Sequence, residues 1–282
     1  LSSESIPSSE SIPLLSGKDH SESPVFTASG LLKAARRQKN LPEANVPECV
    51  LLDPDGDILR YLRAERIAER DANWACYHTD LYRFEWNGRP YGIIACAVGG
   101  PYAVLLAEEL FACKCKLLVS VTSAGQITPV ADPPYYILIT KALRDEGTSY
   151  HYAPPARFAE IDTRLREALD DASRQSELAI VDGPVWTTDA PFRETQSTID
   201  ARRDEGILAV EMEAASLYAY STATGNPVVC FAHVTNQMAA TENDFEKGEA
   251  GGSITSLAVL DHAARALADT VGVRGVSGTK GV

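Results

Sequence analysis

Short apolar runs alternate along this chain with stretches in which apolar residues return every third or fourth position, the pattern of strands interleaved with helices. The clearest unit spans residues 206–238, GILAVEMEAASLYAYSTATGNPVVCFAHVTNQM. Its apolar run at 207–210 predicts a strand that meets two carboxylates, Glu211 and Glu213. A helical pattern then carries Met212, Ala215, Ala219 and Ala223 at three-to-four spacing, and Gly225 and Pro227 close it before the next apolar run at 228–234. Residues two apart on a helix point about 200° away from each other, so one glutamate can cap the helix start while the other turns into a site.

The other elements follow by the same reading. Residues 30–40 fit a basic amphipathic helix, and 49–53 a strand that enters the acidic turn DPDGD. Residues 79–86 alternate strictly, and Asn87-Gly88 joins them to a second strand at 91–98 as a hairpin. A Gly-Gly turn at 99–100 leads into a helix ending near 110, and 116–121 is a strand delivering TSAGQI. Strands at 136–143 and 178–181 flank a helix at 161–173, and a last amphipathic helix covers about 253–268. The expected architecture is a single α/β domain over residues 25–271, a central mixed sheet flanked by helices in three layers. The Ser-, Glu- and Pro-rich residues 1–24 read as a disordered tail, and the Gly-rich residues 272–282 as a flexible one.

Composition narrows the partners. A chain of 282 residues with 45% hydrophobic residues supports one large core, and a formal net charge of −13 makes a nucleic-acid backbone a poor partner. No run approaches the about 18 apolar residues of a membrane span, so a soluble, cytoplasmic protein is expected. Its six cysteines lie mostly inside apolar runs without the paired spacing of a zinc site; they read as buried free thiols, and no metal is expected. The acidic DPDGD lacks the remaining ligands of a calcium loop and reads as a turn.

The segment VEMEAASLYAY resembles the hallmark of the nucleoside phosphorylase superfamily, whose members include purine nucleoside and uridine phosphorylases and methylthioadenosine nucleosidases. Residues 144–155, RDEGTSYHYAPP, are similar to a segment of uridine phosphorylases, and the resemblance covers about residues 47–268. It implies that Met212 and Glu213, with Glu211 beside them, hold ribose. A carboxylate suits that task because it accepts from two neighbouring hydroxyls and favours the positive charge that grows on the sugar as a glycosidic bond loosens. The loop VDGPVWTTDAPFRET takes the place of the base-recognition loop, which makes Trp186 and Phe192 stacking candidates and Arg193 a donor to a base carbonyl. Asn236 stands where purine-specific relatives carry a general-acid Asp; an amide steadies the anion of an oxo-base but cannot protonate a leaving adenine.

The phosphate site departs from the family pattern. Thr122 and Ser123 fall in the phosphate loop, but Ser120, Gly56 and the His78-Thr79 pair stand where three arginines would be. The resemblance therefore implies cleavage of the N-glycosidic bond of a pyrimidine or 6-oxopurine (deoxy)ribonucleoside, with inorganic phosphate as co-substrate and no other cofactor. Hydrolysis by water, or nucleoside binding without catalysis, are the alternatives. Family sites borrow residues across an interface, so a homo-oligomer, a dimer or trimer of dimers, is expected.

Overall fold

The computed structural model describes residues 12–173, 178–237 and 246–273. The strands are β1 (Cys49–Asp53), β2 (Glu69–Arg70), β3 (Tyr82–Trp86), β4 (Arg89–Ala95), β5 (Leu117–Gln126), β6 (Tyr135–Asp145), β7 (Phe158–Glu160), β8 (Ile180–Thr188), β9 (Ala209–Glu211) and β10 (Val228–Asn236). The helices are α1 (Ala28–Lys39), α2 (Asp57–Ala64), α3 (Gly100–Ala112), α4 (Ser149–Tyr152), α5 (Thr163–Ser173), α6 (Gln196–Asp204), α7 (Ala214–Thr224), α8 (Ser253–Ala266) and α9 (Ala268–Val271).

All the strands join one mixed sheet in the order β10-β6-β8-β9-β5-β1-β4-β3-β2, with β7 on β6. The path also closes, because β10 pairs in parallel with β5 as well as antiparallel with β6. Five strands, β5, β10, β6, β8 and β9, thus form a ring from which β1, β4, β3 and β2 extend as an open arm. Strands buried on both faces read as continuous apolar runs rather than alternating ones. Cys49–Asp53 and most of β10 do so, which is why they stood out in the sequence. The expected hairpin is present: Asn87 and Gly88 both take positive φ, 49° and 73°, between β3 and β4.

The α7 helix is buried over its first two turns, Ala214 to Ser221, and packs on α3 and α4. Gly100 permits that approach, since a Cβ there would collide with Ser216. Ser216 Oγ in turn donates to Glu146 Oε2 at 2.6 Å, fastening the helix to the loop before α4. Five of the six cysteines are buried free thiols and Cys96 is exposed. No helix among the described residues is long and apolar enough to cross a membrane.

Two expectations change. The base-recognition loop was placed at residues 181–195, but β8 runs on through Thr188, so only the residues after it are loop. Within the segment expected as a tail, residues 13–15 and 20–21 form turns and His20 Nε2 lies 3.2 Å from Tyr150 O. Residues 1–11 of that segment and the tail after 273 lie outside the described residues.

Candidate active site

The strand-to-helix junction β9–α7 separates the two glutamates into two tasks. Glu211, the last residue of β9, accepts from the backbone N–H of Glu213 at 2.7 Å and of Ala214 at 2.8 Å, and from Thr187 Oγ. It therefore satisfies two of the free donors that open α7, with Ala215 N–H taken by Thr187 Oγ1, and the expected ribose contact from Glu211 is replaced by a capping role. Glu213, 2% exposed, turns the other way. Its Oε1 accepts from Gly99 N at 2.7 Å and its Oε2 from Thr122 Oγ1 at 2.8 Å. A carboxylate has about four acceptor positions, so each oxygen keeps one for a substrate hydroxyl. Burial raises the affinity of both groups for a proton. The Glu213 charge adds to this at Glu211, whereas the bonds from Gly99 and Thr122 oppose it at Glu213.

Thr122 thus serves as the clamp on Glu213 rather than as an anion donor. Its neighbour Ser123 is also engaged, because Asp55 Oδ2 accepts from Ser123 N at 3.0 Å and from Ser123 Oγ. Asp55 belongs to the turn after β1, which Asp53 builds: its carboxylate accepts from Gly56 N at 3.0 Å and Leu59 N at 2.9 Å. Burial, against those two bonds, pushes the Asp53 carboxyl up to about 7. Gly56 sits in that turn at φ +77°, a conformation that suits glycine. Beyond it, Asp57 binds both Arg60 and Lys247. Among the described residues no group of three His, Cys, Asp or Glu is arranged to hold a metal ion.

The family's profile matches residues 54–271 under the description Phosphorylase superfamily. The chain belongs to this superfamily. It is 23% identical over 204 residues to the uridine phosphorylase of Haemophilus influenzae, a match covering 66% of this chain and 80% of that one. It is 26% identical over 210 residues to a DeoD-type purine nucleoside phosphorylase of Actinobacillus pleuropneumoniae, covering 72% and 85%. The match to a guanosine phosphorylase of Halorubrum lacusprofundi, also 26% identical, covers 50% of this chain and 58% of that one. A crystal structure of uridine phosphorylase from Vibrio fischeri superposes with a TM-score of 0.67 at 20% identity, over 83% of this chain and 99% of that one.

Within this phosphorylase fold the expected base-binding residues come apart. Trp186 lies in β8, 3% exposed, packed with Ile127, Leu143, Ile207 and Val210, and its Nε1 donates to Asp145 Oδ2 at 3.0 Å. It pins the sheet and offers no face to a base, so the stacking role assigned to Trp186 is withdrawn. Phe192, 99% exposed, and Arg193 occupy the short turn Pro191–Arg193 beyond the strand end. Asn236 ends β10 opposite Gly125 and donates to Thr235 Oγ1 at 3.3 Å, while Met212 is half-buried between the two glutamates.

Four residues that contact the candidate site residues escaped the sequence reading: Asp55, Gly99, Thr187 and His233. Gly99, with φ +88°, aims its N–H at Glu213; the Gly-Gly turn was the available signal. Asp55 was hidden because DPDGD makes an ordinary turn. Glu194 is half-buried in the loop after β8, where burial pushes its carboxyl up to about 7.

Proposed function

We propose that this protein cleaves the N-glycosidic bond of a pyrimidine or 6-oxopurine nucleoside with water as the attacking group. The observation that carries the choice of nucleophile is Asp55: its carboxylate already sits on the Ser123 N–H and hydroxyl, the donors that would otherwise receive an oxyanion. A phosphate dianion brought there would meet Asp55, Asp57 and Glu213 without an arginine fork to compensate. The nearby guanidinium groups are engaged elsewhere. Arg83 binds Asp71 and Arg63 lies over the Tyr82 ring, which leaves Arg60, itself paired with Asp57. Water needs no such cations, and a fixed carboxylate orients it by accepting one of its hydrogens.

In this reading Glu213 accepts from the ribose hydroxyls, and its charge favours the oxocarbenium-like sugar as the bond to the base lengthens. Asn236 donates to the departing oxo-base, which makes adenosine a poor substrate. Phe192 and Arg193, on the loop that follows β8, close on the base from outside.

A second reading, phosphorolysis to a sugar 1-phosphate, is favoured by the relatives, all named as phosphorylases, and by Arg60, whose Nη1 donates to Asp55 O at 3.2 Å beside Gly56. Release of free base from uridine, thymidine, inosine and guanosine, measured with and without inorganic phosphate, separates the two. Equal rates with the free sugar as product, ribose or, from thymidine, deoxyribose, are expected. A rate that requires phosphate and yields sugar 1-phosphate would overturn the choice of water. Ligand-induced stabilisation with no turnover would leave only a nucleoside-binding protein.

A further inference from the structure

In the register of β5, β10 and β6, Ser123, His233 and Tyr136 stand side by side across three strands. Neighbouring strands lie about 4.8 Å apart and directly paired residues project from the same face, so the three side chains form one row at the end of the ring. The ends of that row differ in character. Ser123 carries the Asp55 carboxylate. Tyr136 is fixed by bonds between its hydroxyl and Gly252 O at 3.1 Å and Ser256 Oγ at 2.8 Å, and its ring stacks flat on the His233 imidazole at 4.6 Å.

The imidazole is held rigidly between that ring and the backbone of Gly252, where any Cβ would strike Cε1. The groups that face it are Lys247 from the segment after β10 and Asp55 and Asp57 from the turn after β1. Neither ring nitrogen has a hydrogen-bond partner among the described residues, although an imidazole that is only packing is ordinarily bonded at one nitrogen. Burial and, after it, Lys247 hold its proton affinity down to about 4, against the pull of Asp55 and Asp57. The ring is therefore neutral, and able to accept a proton, across the physiological range.

Resting on the hydrolytic reading above, we propose that His233 is the proton acceptor for the attacking water, with Asp55 orienting that water and steadying the imidazolium that forms. One O–H bond of the water breaks as its proton passes to the imidazole, and the oxygen forms the new bond to C1′. The C1′–N bond breaks with its electron pair leaving on the base. The imidazolium then returns its proton through solvent to the base anion, so nucleoside and water become free base and free sugar.

The test compares wild type with His233→Gln, His233→Asn and His233→Ala in the phosphate-free base-release assay. His233→Gln and His233→Asn should lower kcat about 100-fold or more, within the range for loss of a general base, with KM little changed. Added imidazole should restore part of the activity of His233→Ala, a rescue that repair of packing alone would not follow. The thermal midpoint of each variant shows whether it is folded. Either amide variant turning over at the wild-type rate, or a folded His233→Ala protein that imidazole does not rescue, would overturn the assignment while leaving the hydrolytic reading intact. No release of base by the wild type would overturn the reading itself, and this assignment with it.

Discussion

At the scale of single residues, the site turns on where two buried carboxylates spend their oxygens. Glu211 receives three donors that belong to the fold, whereas Glu213 receives two that hold it in place and keeps two acceptor positions. Glu213→Gln removes one acceptor and the charge together, and should lower kcat/KM about 100-fold or more, comparable to deleting one charge-stabilising group in other active sites. The same change should not cost stability at neutral pH. A carboxyl whose folded pKa is raised above its usual value of 4.5 binds more protons in the native than in the unfolded state, so stability falls as pH rises. The wild-type thermal midpoint should therefore drop relative to Glu213→Gln between pH 5 and 8. A difference between the two proteins that stays constant across that range would mean that Glu213 is not strained by its burial. The motif VEMEAA made both glutamates legible in the sequence. The resemblance singled out Glu213 for the ribose, but how each carboxylate is held was not legible, because that depends on donors from Gly99, Thr122 and Thr187, residues 114, 91 and 24 positions away from their partners.

Among the elements, the sequence resolved those whose own residues carry the periodicity and misjudged those shaped by neighbours. The strand β10 and the hairpin β3–β4 were legible from a continuous apolar run and an Asn-Gly turn. The strand β8 was cut short because Gly183 and Pro184 interrupt its pattern. The structure keeps it extended through pairing with β6 and β9, and Leu208 packs into the space that Gly183 leaves. The helix α6 has no buried residue and hence no apolar stripe, and the sequence reading missed it; its Thr195 cap was the available signal. The extension of β8 moves Trp186 from ligand to core. Trp186→Ala should destabilise the fold by about 3–5 kcal/mol, the cost of emptying a packed aromatic site, with a matching loss of urea resistance. Phe192→Ala should leave stability within about 0.5 kcal/mol, as for other exposed side chains, while raising KM for nucleosides. If instead Trp186→Ala folds normally and only binding suffers, the ring serves the base after all.

Over the whole molecule, the side chains of the candidate site and its supports divide between a closed part and an open part. Ring strands contribute Thr122, Ser123, His233, Glu211 and Asn236, with Glu213 two residues beyond the end of β9. The arm contributes only what lies at its ring-proximal end, Asp55 after β1 and Gly99 after β4. A ring has no edge from which to fray, whereas β2 is a two-residue exposed strand at the end of the path. Amide exchange should follow this division. Backbone amides of β5, β10 and β6 should exchange only through global unfolding, those of β2 and the outer half of β3 through local opening, and those of the turn Pro191–Arg193 fastest of the three. A nucleoside that binds as proposed should slow exchange in that turn and at Gly99, and leave the order within the sheet unchanged. Protection spread evenly over the sheet, with no gain at Gly99 or in the turn, would place the ligand elsewhere. Exchange in β5 as fast as in β2 would show that the β5–β10 pairing does not hold the site, and the rigid row of Ser123, His233 and Tyr136 would lose its physical basis.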